Sequence, residues 1–429
     1  MKFAFYARVA ALAGRPGHSV RRLARRRGAP APLAAALAVL VAAWAAWSPE
    51  AARAAEPLAV PIVYLTVGEK EPPPLSLVEP IITDKGLAGA RLGIADNNTT
   101  GRFLNQSYAL TEVIAPDDKA LAARVVALLA EGKRYFVADL HADQLLAVAD
   151  LPGAKDALFF NIRAQDDRLR TDDCRSNVLQ VMPSRAMKAD ALAQYLMKKR
   201  WSHWFLVDGQ QPDDLAFVKA VHRAAKRFGA EIVEERPYSY KPEARRSDTG
   251  YMQIQGQMTQ LTQEVDDYDV LVVSDESDIF GEYLPYRTWD PRPVVGTQGL
   301  VPTAWHRSME QWGGTQLQNR FIASAGHVMV ERDYNGWVAV RSVGEAVTRT
   351  GQADPASVHA YLVGDEFRLG AFKGEGLTYR RWNQQLRQPI LLSSARMLVS
   401  VSPQDGYLHQ RTPLDTLGYD EPESRCRLN

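Results

Sequence analysis

Val270-Leu271-Val272-Val273, followed by Ser274-Asp275-Glu276-Ser277-Asp278, is the stretch whose reading decides the fold. Four consecutive apolar residues predict a strand covered on both faces, and the carboxylate-rich turn marks its carboxyl end. Beyond it come Tyr283, Tyr286, Arg287, Trp289 and Arg292, a second apolar run at Pro293-Val294-Val295-Gly296, then Trp305, Arg307 and Trp312. In open α/β sheets, ligands sit in the crevice beyond the carboxyl ends of the strands. Aromatics and guanidiniums placed after two such strands predict a flat, anionic ligand, because guanidinium pairs with carboxylate bidentately and indole offers a stacking face. The competing reading makes the same side chains ordinary core and surface.

The same grammar extends outward in both directions. Strands are predicted at Val60–Val67, Ala90–Ala95, Arg134–Leu140 and Ala157–Ile162, with helices at Pro116–Glu131 and after His141. A second set follows at Val178–Met182, His203–Val207, Ala230–Glu235 and Asp266–Ser274. Its helices cover Ala186–Arg200 and a span from Gly209 to a C-cap at Gly229. The Gln-rich run Tyr251–Gln263 reads as a helix lying on this second lobe. Thr315–Val328 and Asn335–Thr350 are helical, and Asp354-Pro355-Ala356-Ser357 starts another helix by its capping chemistry. Pro389–Val401 and Gly406–His409 read as paired strands. The fold class is therefore α/β, with two doubly wound parallel-sheet lobes joined by a multi-strand hinge. The expected division is 55–176 for the first part of lobe 1, 177–303 for the first part of lobe 2, 304–388 for a return to lobe 1, and 389–429 for a return to lobe 2 with the tail.

The amino-terminal segment 1–54 reads as a cleaved export signal. It carries nine Lys and Arg against Glu50 alone, then an apolar run from Leu33 to Trp47 and the small-x-small site Ala52-Arg53-Ala54. The whole chain is +1, so the remainder is about −7 once that +8 segment is removed. A mildly acidic exported protein lacks the basic face of a nucleic-acid binder. The two cysteines, Cys174 and Cys426, predict one disulfide that staples the tail to the middle of the chain. No metal site is expected, because no CxxC or nearby His completes a ligand set. GxSxG, HExxH and Gly-rich phosphate loops are absent from the sequence, which argues for binding rather than catalysis.

Two lobes with repeated crossings make a hinge over a ligand cleft. Together with the signal segment and the final return, this order resembles the type I periplasmic solute-binding proteins of ABC transporters, the class that includes branched-chain amino-acid receptors. A narrower likeness lies in Phe372-Lys373-Gly374-Glu375-Gly376, Arg381-Trp382-Asn383-Gln384-Gln385-Leu386-Arg387-Gln388-Pro389-Ile390 and Leu414-Asp415-Thr416-Leu417-Gly418. These resemble the solute-binding proteins associated with alcohol oxidation dependent on pyrroloquinoline quinone (PQQ). The resemblance implies a periplasmic monomer that binds PQQ as ligand, with no catalytic cofactor. It would work with a transporter permease or a periplasmic quinoprotein dehydrogenase.

For such a ligand the residues to name are Trp305 and Trp289 for stacking, and Arg163, Arg168 and Arg170 for the carboxylates. Asn97, Thr99, Thr100 and His141 are the hydrogen-bonding candidates. Each has a structural counterpart reading: Trp305 as hinge packing, the arginines as an ion-pair loop with Asp166, Asp167, Asp172 and Asp173, His141 as a helix start. Asp275 and Glu276 oppose a polyanion. If they face the cleft, an amino acid or other small amine or carboxylate becomes the alternative ligand.

Overall fold

The computed structural model describes residues 56–69, 80–239 and 248–428. The expected signal segment 1–54 lies outside them. Among the described residues no helix is long and apolar enough to cross a membrane.

Lobe 1 is built on a five-stranded parallel sheet of order β2-β1-β3-β4-β5. Its strands are β1 (Leu58–Val67), β2 (Gln106–Ala115), β3 (Tyr135–Asp139), β4 (Leu158–Asn161) and β5 (Val178–Gln180). Helices α1 (Leu87–Gly101), α2 (Asp118–Ala130) and α3 (Ala142–Ala149) connect the first four. β1, β3 and β4 are buried almost throughout, as covering on both faces requires. α2 and α3 fill one face of the sheet around Phe136 and Phe159, whose rings stack 4.8 Å apart.

Lobe 2 carries a four-stranded parallel sheet of order β7-β6-β8-β9. It is entered through α4 (Arg185–Lys198), and then come β6 (His203–Gly209), α5 (Pro212–Phe228), β7 (Glu231–Tyr238), α6 (Asp248–Leu261), β8 (Val270–Ser274) and β9 (Val294–Gly296). Ser184 caps α4 by accepting from Met187 N, and Gly229 ends α5 at φ 80°, a left-handed turn that glycine adopts without strain.

The chain then returns. β10 (Val301–Thr303) leads into α7 (Gly314–Ala325), α8 (Glu331–Thr350) and α9 (Pro355–Leu362), which cover the open face of lobe 1. Asp354 caps α9 by accepting from Ser357 N. The short strands β11 (Leu369–Gly370), β12 (Gly376–Tyr379) and β13 (Leu386–Arg387) form an antiparallel set, and β14 (Ile390–Ser394) pairs with both β10 and β15 (Met397–Ser402). Ile390 and Leu392 pack in the core of lobe 2, while Leu391 packs in that of lobe 1. β14 is thus the seam between them.

Four elements differ from expectation. Ala90–Ala95 is helical, part of α1, not a strand. Its glycines serve helix contact: a Cβ on Gly89 would lie 1.8 Å from Asp333 O, and one on Gly336 of α8 would lie 2.3 Å from Gly86 O. The second strand is instead Gln106–Ala115, paired with β1 over ten residues at the edge of the sheet. Val178–Gln180 pairs with β4, so it closes lobe 1 rather than opening lobe 2, and the first crossing lies after it. The final hairpin forms wholly within Ile390–Ser402, and Gly406–His409 is not a strand.

The predicted disulfide is present. Cys174 and Cys426 are bonded with a Cα–Cα distance of 5.6 Å across 252 residues. Closing so long a loop stabilises the fold by on the order of 5 kcal/mol in the chain-entropy account.

Candidate functional site

Open α/β sheets present ligand sites at the carboxyl ends of their strands. In this chain the carboxyl ends of both sheets converge on Arg185, the first residue of α4, whose side chain is 4 % exposed. Its Nε and Nη2 donate to Glu276 Oε1 and Oε2 at 3.0 and 2.7 Å, just past β8. Nη2 also donates to Asp213 Oδ1 at 2.7 Å, at the start of α5, and Nη1 lies 3.5 Å from Asp166 Oδ2, beyond β4 of lobe 1. Burial works against the guanidinium's charge, but the surrounding carboxylates outweigh it and hold its pKa above the usual value. One turn on, Lys188 Nζ donates to Glu331 Oε2 at 2.7 Å, joining α4 to the start of α8.

The lobe 1 side is built from three strand ends. Glu69, after β1, accepts from Arg163 Nη2 at 2.6 Å and pairs with His141 Nε2 at 2.9 Å. Burial opposes its ionisation, yet the bond and charge of Arg163 and the neighbouring His141 hold the carboxyl below the usual range. Asp139, the last residue of β3, accepts from Tyr64 Oη at 2.7 Å through Oδ2. Its Oδ1 is buried and accepts no hydrogen bond among the described residues, with Arg332 Nε 3.6 Å away. Burial raises its pKa, against the Arg332 charge.

Lobe 2 repeats the feature. Asp208, near the end of β6, accepts from Gln210 Nε2 at 2.6 Å, while its buried Oδ1 has no donor among the described residues. Burial first, then the charge of Glu235, pushes its carboxyl up to about 6. Each lobe therefore ends a central strand in a buried carboxylate with one oxygen that accepts no hydrogen bond among the described residues, balanced in lobe 1 by the more distant Arg332 charge, and a donor there would be favourable. Among the described residues no cluster of three or more His, Cys, Asp or Glu is placed to hold a metal ion.

Of the residues singled out from sequence, Arg163, His141 and Glu276 stand at these strand ends, the first two drawn together by Glu69. The others are placed elsewhere. Trp305 is 2 % exposed, stacked on Tyr334 at 4.7 Å with Nε1 donating to Gln318 Oε1, and so belongs to the core beside the hinge. Trp289 is 58 % exposed and lies just before β9, at the amino edge of the sheet near the Arg292–Asp267 pair. Arg168 is held among Asp143, Asp166 and Asp173.

Arg170 is buried and donates to Gln385 Oε1 and to the carbonyls of Ala164, Asp166 and Met182, bracing the first crossing. Asp275 is buried and accepts from the backbone of Ile279, Phe280 and Gly281, closing its own turn. Asn97, Thr99 and Thr100 lie in α1, not in a turn. They are about 15–20 Å along that helix from its start, at 1.5 Å per residue. Asn97 donates to Val340 O and Thr99 to Ala95 O, while Thr100 is exposed.

The run Asn383–Gln388 also proves to be packing. Gln384 Nε2 donates to Val178 O, Gln385 Nε2 to Gln180 O, and Gln388 Nε2 to Val181 O. It is a ladder of side-chain amides laid along β5 and the first crossing. Arg185, Asp139, Asp208 and Glu69 were not singled out from sequence. The available signal was positional, since each lies within two residues of a strand end or at the helix start after one.

No family model and no curated protein matches this chain. Solved structures do. One is a leucine-, isoleucine-, valine-, threonine- and alanine-binding protein from Brucella ovis in a closed conformation, 14% identical at TM-score 0.66, covering 87% of this chain and 100% of that one. This is the fold of a type I periplasmic binding protein. A branched-chain amino acid ABC transporter periplasmic ligand-binding protein from Burkholderia xenovorans is 16% identical at TM-score 0.65, covering 86% and 99%. A solute-binding protein of an ABC transporter from R. palustris, in complex with benzoate, is 11% identical at TM-score 0.60, covering 87% and 100%.

Proposed function

We propose that this protein is the periplasmic solute-binding component of an ABC transporter, and that its inter-lobe cleft captures a small solute bearing both an ammonium and a carboxylate, the amino-acid class. The observation that carries this reading is the pair of buried, donor-poor carboxylates at the strand ends, Asp139 in lobe 1 and Asp208 in lobe 2. An ammonium supplies the missing donors, and charge-assisted bonds of that kind are the strong ones. Arg163 stands on the same strand ends and gives only its Nη2 to Glu69 among the described residues, and a guanidinium has five N–H donors in a fixed fork, so an edge remains for one carboxylate. Binding needs no chemistry. A ligand touching both lobes favours the closed arrangement by its differential affinity. The permease is the partner that the reading requires.

The amino-acid structures that share the fold support this reading over the quinone one. A planar tricarboxylate wants an exposed indole and several uncommitted cations. Trp305 is instead stacked in the core, and Arg168, Arg170 and Arg185 already hold carboxylates or carbonyls, which leaves Arg163 alone against three carboxylates.

The test is calorimetric titration of the chain from Ala55 onward with an amino-acid panel, benzoate and PQQ in parallel. Saturable one-to-one heat with an amino acid, weakened at least tenfold in Asp139→Asn, is expected. Heat with PQQ or benzoate alone would overturn the proposal.

A further inference from the structure

A second cavity, of about 470 Å³, lies between the strand pair β12–β13, the loop after α9 and the tail. None of its lining residues belongs to the strand-end cluster described above. Four arginines line it, Arg368, Arg381, Arg387 and Arg411, against the acidic Asp365 and Glu375. The volume falls within the range of small-molecule sites.

Local sequence explains why the arginines gather. Phe367 and Leu369 are buried in the lobe 1 core, so Arg368 between them points outward, its stem lying over Gly376. Among the described residues Arg368 has no carboxylate or carbonyl partner, and it is exposed. Arg387 is fixed from below: its Nε donates to Asp415 Oδ1 at 2.8 Å and its Nη1 to Tyr379 O at 2.9 Å. Asp415 is fully buried and also takes Arg380 Nε at 2.9 Å. Arg411 donates to Glu421 at 2.7 Å and Arg381 pairs with Asp365 at 2.9 Å, where the Asp365 side chain is 88 % exposed.

Trp382 is the hub beneath. The guanidiniums of Arg380, Arg387 and Arg411 lie 5.4, 5.2 and 5.5 Å from its ring centroid, and its buried Nε1 has no acceptor among the described residues. Cation–π contacts of this kind hold guanidinium planes in place. The arrangement presents fixed forks to one space, and those forks match carboxylate and phosphate oxygens.

We infer that this cavity is a second ligand site, separate from the inter-lobe cleft, that takes a small organic or inorganic polyanion carrying two or more carboxylates or phosphates. Its walls come from both sides of the molecule. The loop Val363–Arg368 belongs to lobe 1, whereas the tail segment Arg411–Leu414 continues into Thr416 and Gly418, which are bonded to Gln194 of α4 and to Asp190 and Arg223 on lobe 2. A bound polyanion therefore ties the lobe 1 loop to the lobe 2 tail.

The experiment titrates the chain from Ala55 onward with sodium citrate and with sodium pyrophosphate, by calorimetry at constant ionic strength, alongside Arg368→Ala, Arg411→Ala and the double variant. Both side chains are exposed, so the variants fold, and matching circular dichroism and melting curves check this. Saturable heat is expected with at least one polyanion, at least tenfold weaker in each single variant and absent in the double. Heat from citrate alone identifies a polycarboxylate site, and heat from pyrophosphate alone a phosphate site. No saturable heat with either, a signal reproduced by sodium chloride, or unchanged binding in the double variant would overturn the inference.

Discussion

Replacing Arg185 with methionine tests whether this side chain joins the two sheets. The perturbation leaves Glu276 without its bidentate partner while its side chain stays 15 % exposed. Removing one member of a buried ion pair costs about 3–5 kcal/mol, chiefly because the other charge is stranded. Asp213 and Asp166, at 59 % and 32 % side-chain exposure, are better solvated and add little. The pH dependence follows from the sign of the Glu276 shift. Burial already holds that carboxyl above its usual range against the opposing charges of Arg185 and Lys188, and losing Arg185 raises it further.

A carboxyl whose folded pKa lies above the unfolded one, near 4.3, adds no penalty at lower pH and destabilises increasingly as pH rises through the folded value. Arg185→Met should therefore cost clearly more at pH 8 than at pH 5. Adding Glu276→Gln should recover most of the loss, since a neutral amide strands no charge. Urea unfolding of the wild type, both single variants and the double at the two pH values measures each corner of this cycle. An equal cost at both pH values, or a double variant no more stable than Arg185→Met, would refute the reasoning.

Two further outcomes follow from burial. Trp305→Ala should lower stability by about 3–5 kcal/mol, as for other buried large aromatics. Trp305→Phe, which keeps a ring on Tyr334, should lose markedly less, and solute affinity in folded protein should change by under threefold, as denaturation and titration of both variants will show. Asp208, pushed up to about 6 by burial and Glu235, favours its protonated form in the folded state. Wild-type stability should accordingly carry a decline from about pH 4 through pH 6 that is missing in Asp208→Asn, measured by thermal melts across that range.

Much of this architecture is written locally. Val270–Val273 and Tyr135–Asp139 are apolar runs that only a two-sided sheet can cover, and both are buried strands. Asp354 and Gly229 mark helix ends by their own chemistry. Two cysteines in a chain with an export-like leader point to the bond that joins Cys174 to Cys426. Local reading fails where a distant element decides. Gly89 and Gly93, which weaken α1 by propensity, are there because α8 approaches so closely that a Cβ would collide with the Asp333 backbone or the Val340 side chain. Gln106–Ala115 escapes notice because an edge strand alternates buried and exposed residues and shows no continuous apolar run.

The same division governs the functional residues. Sequence alone placed the candidate site at the strand ends of a two-lobed α/β chain, because open α/β sheets present their ligand crevice there. It could not determine which side chains reach that crevice. Trp305, Arg170 and Asp275 carry the right chemistry at plausible positions, but packing turns each of them inward to an aromatic ring, to hinge carbonyls or to backbone N–H groups. Arg185 has no motif around it, yet it sits where β4, β6 and β8 all end. Only the tertiary fold brings those ends together, because contacts separated by 19 to 91 residues depend on how two sheets are oriented across a hinge, which no local pattern encodes.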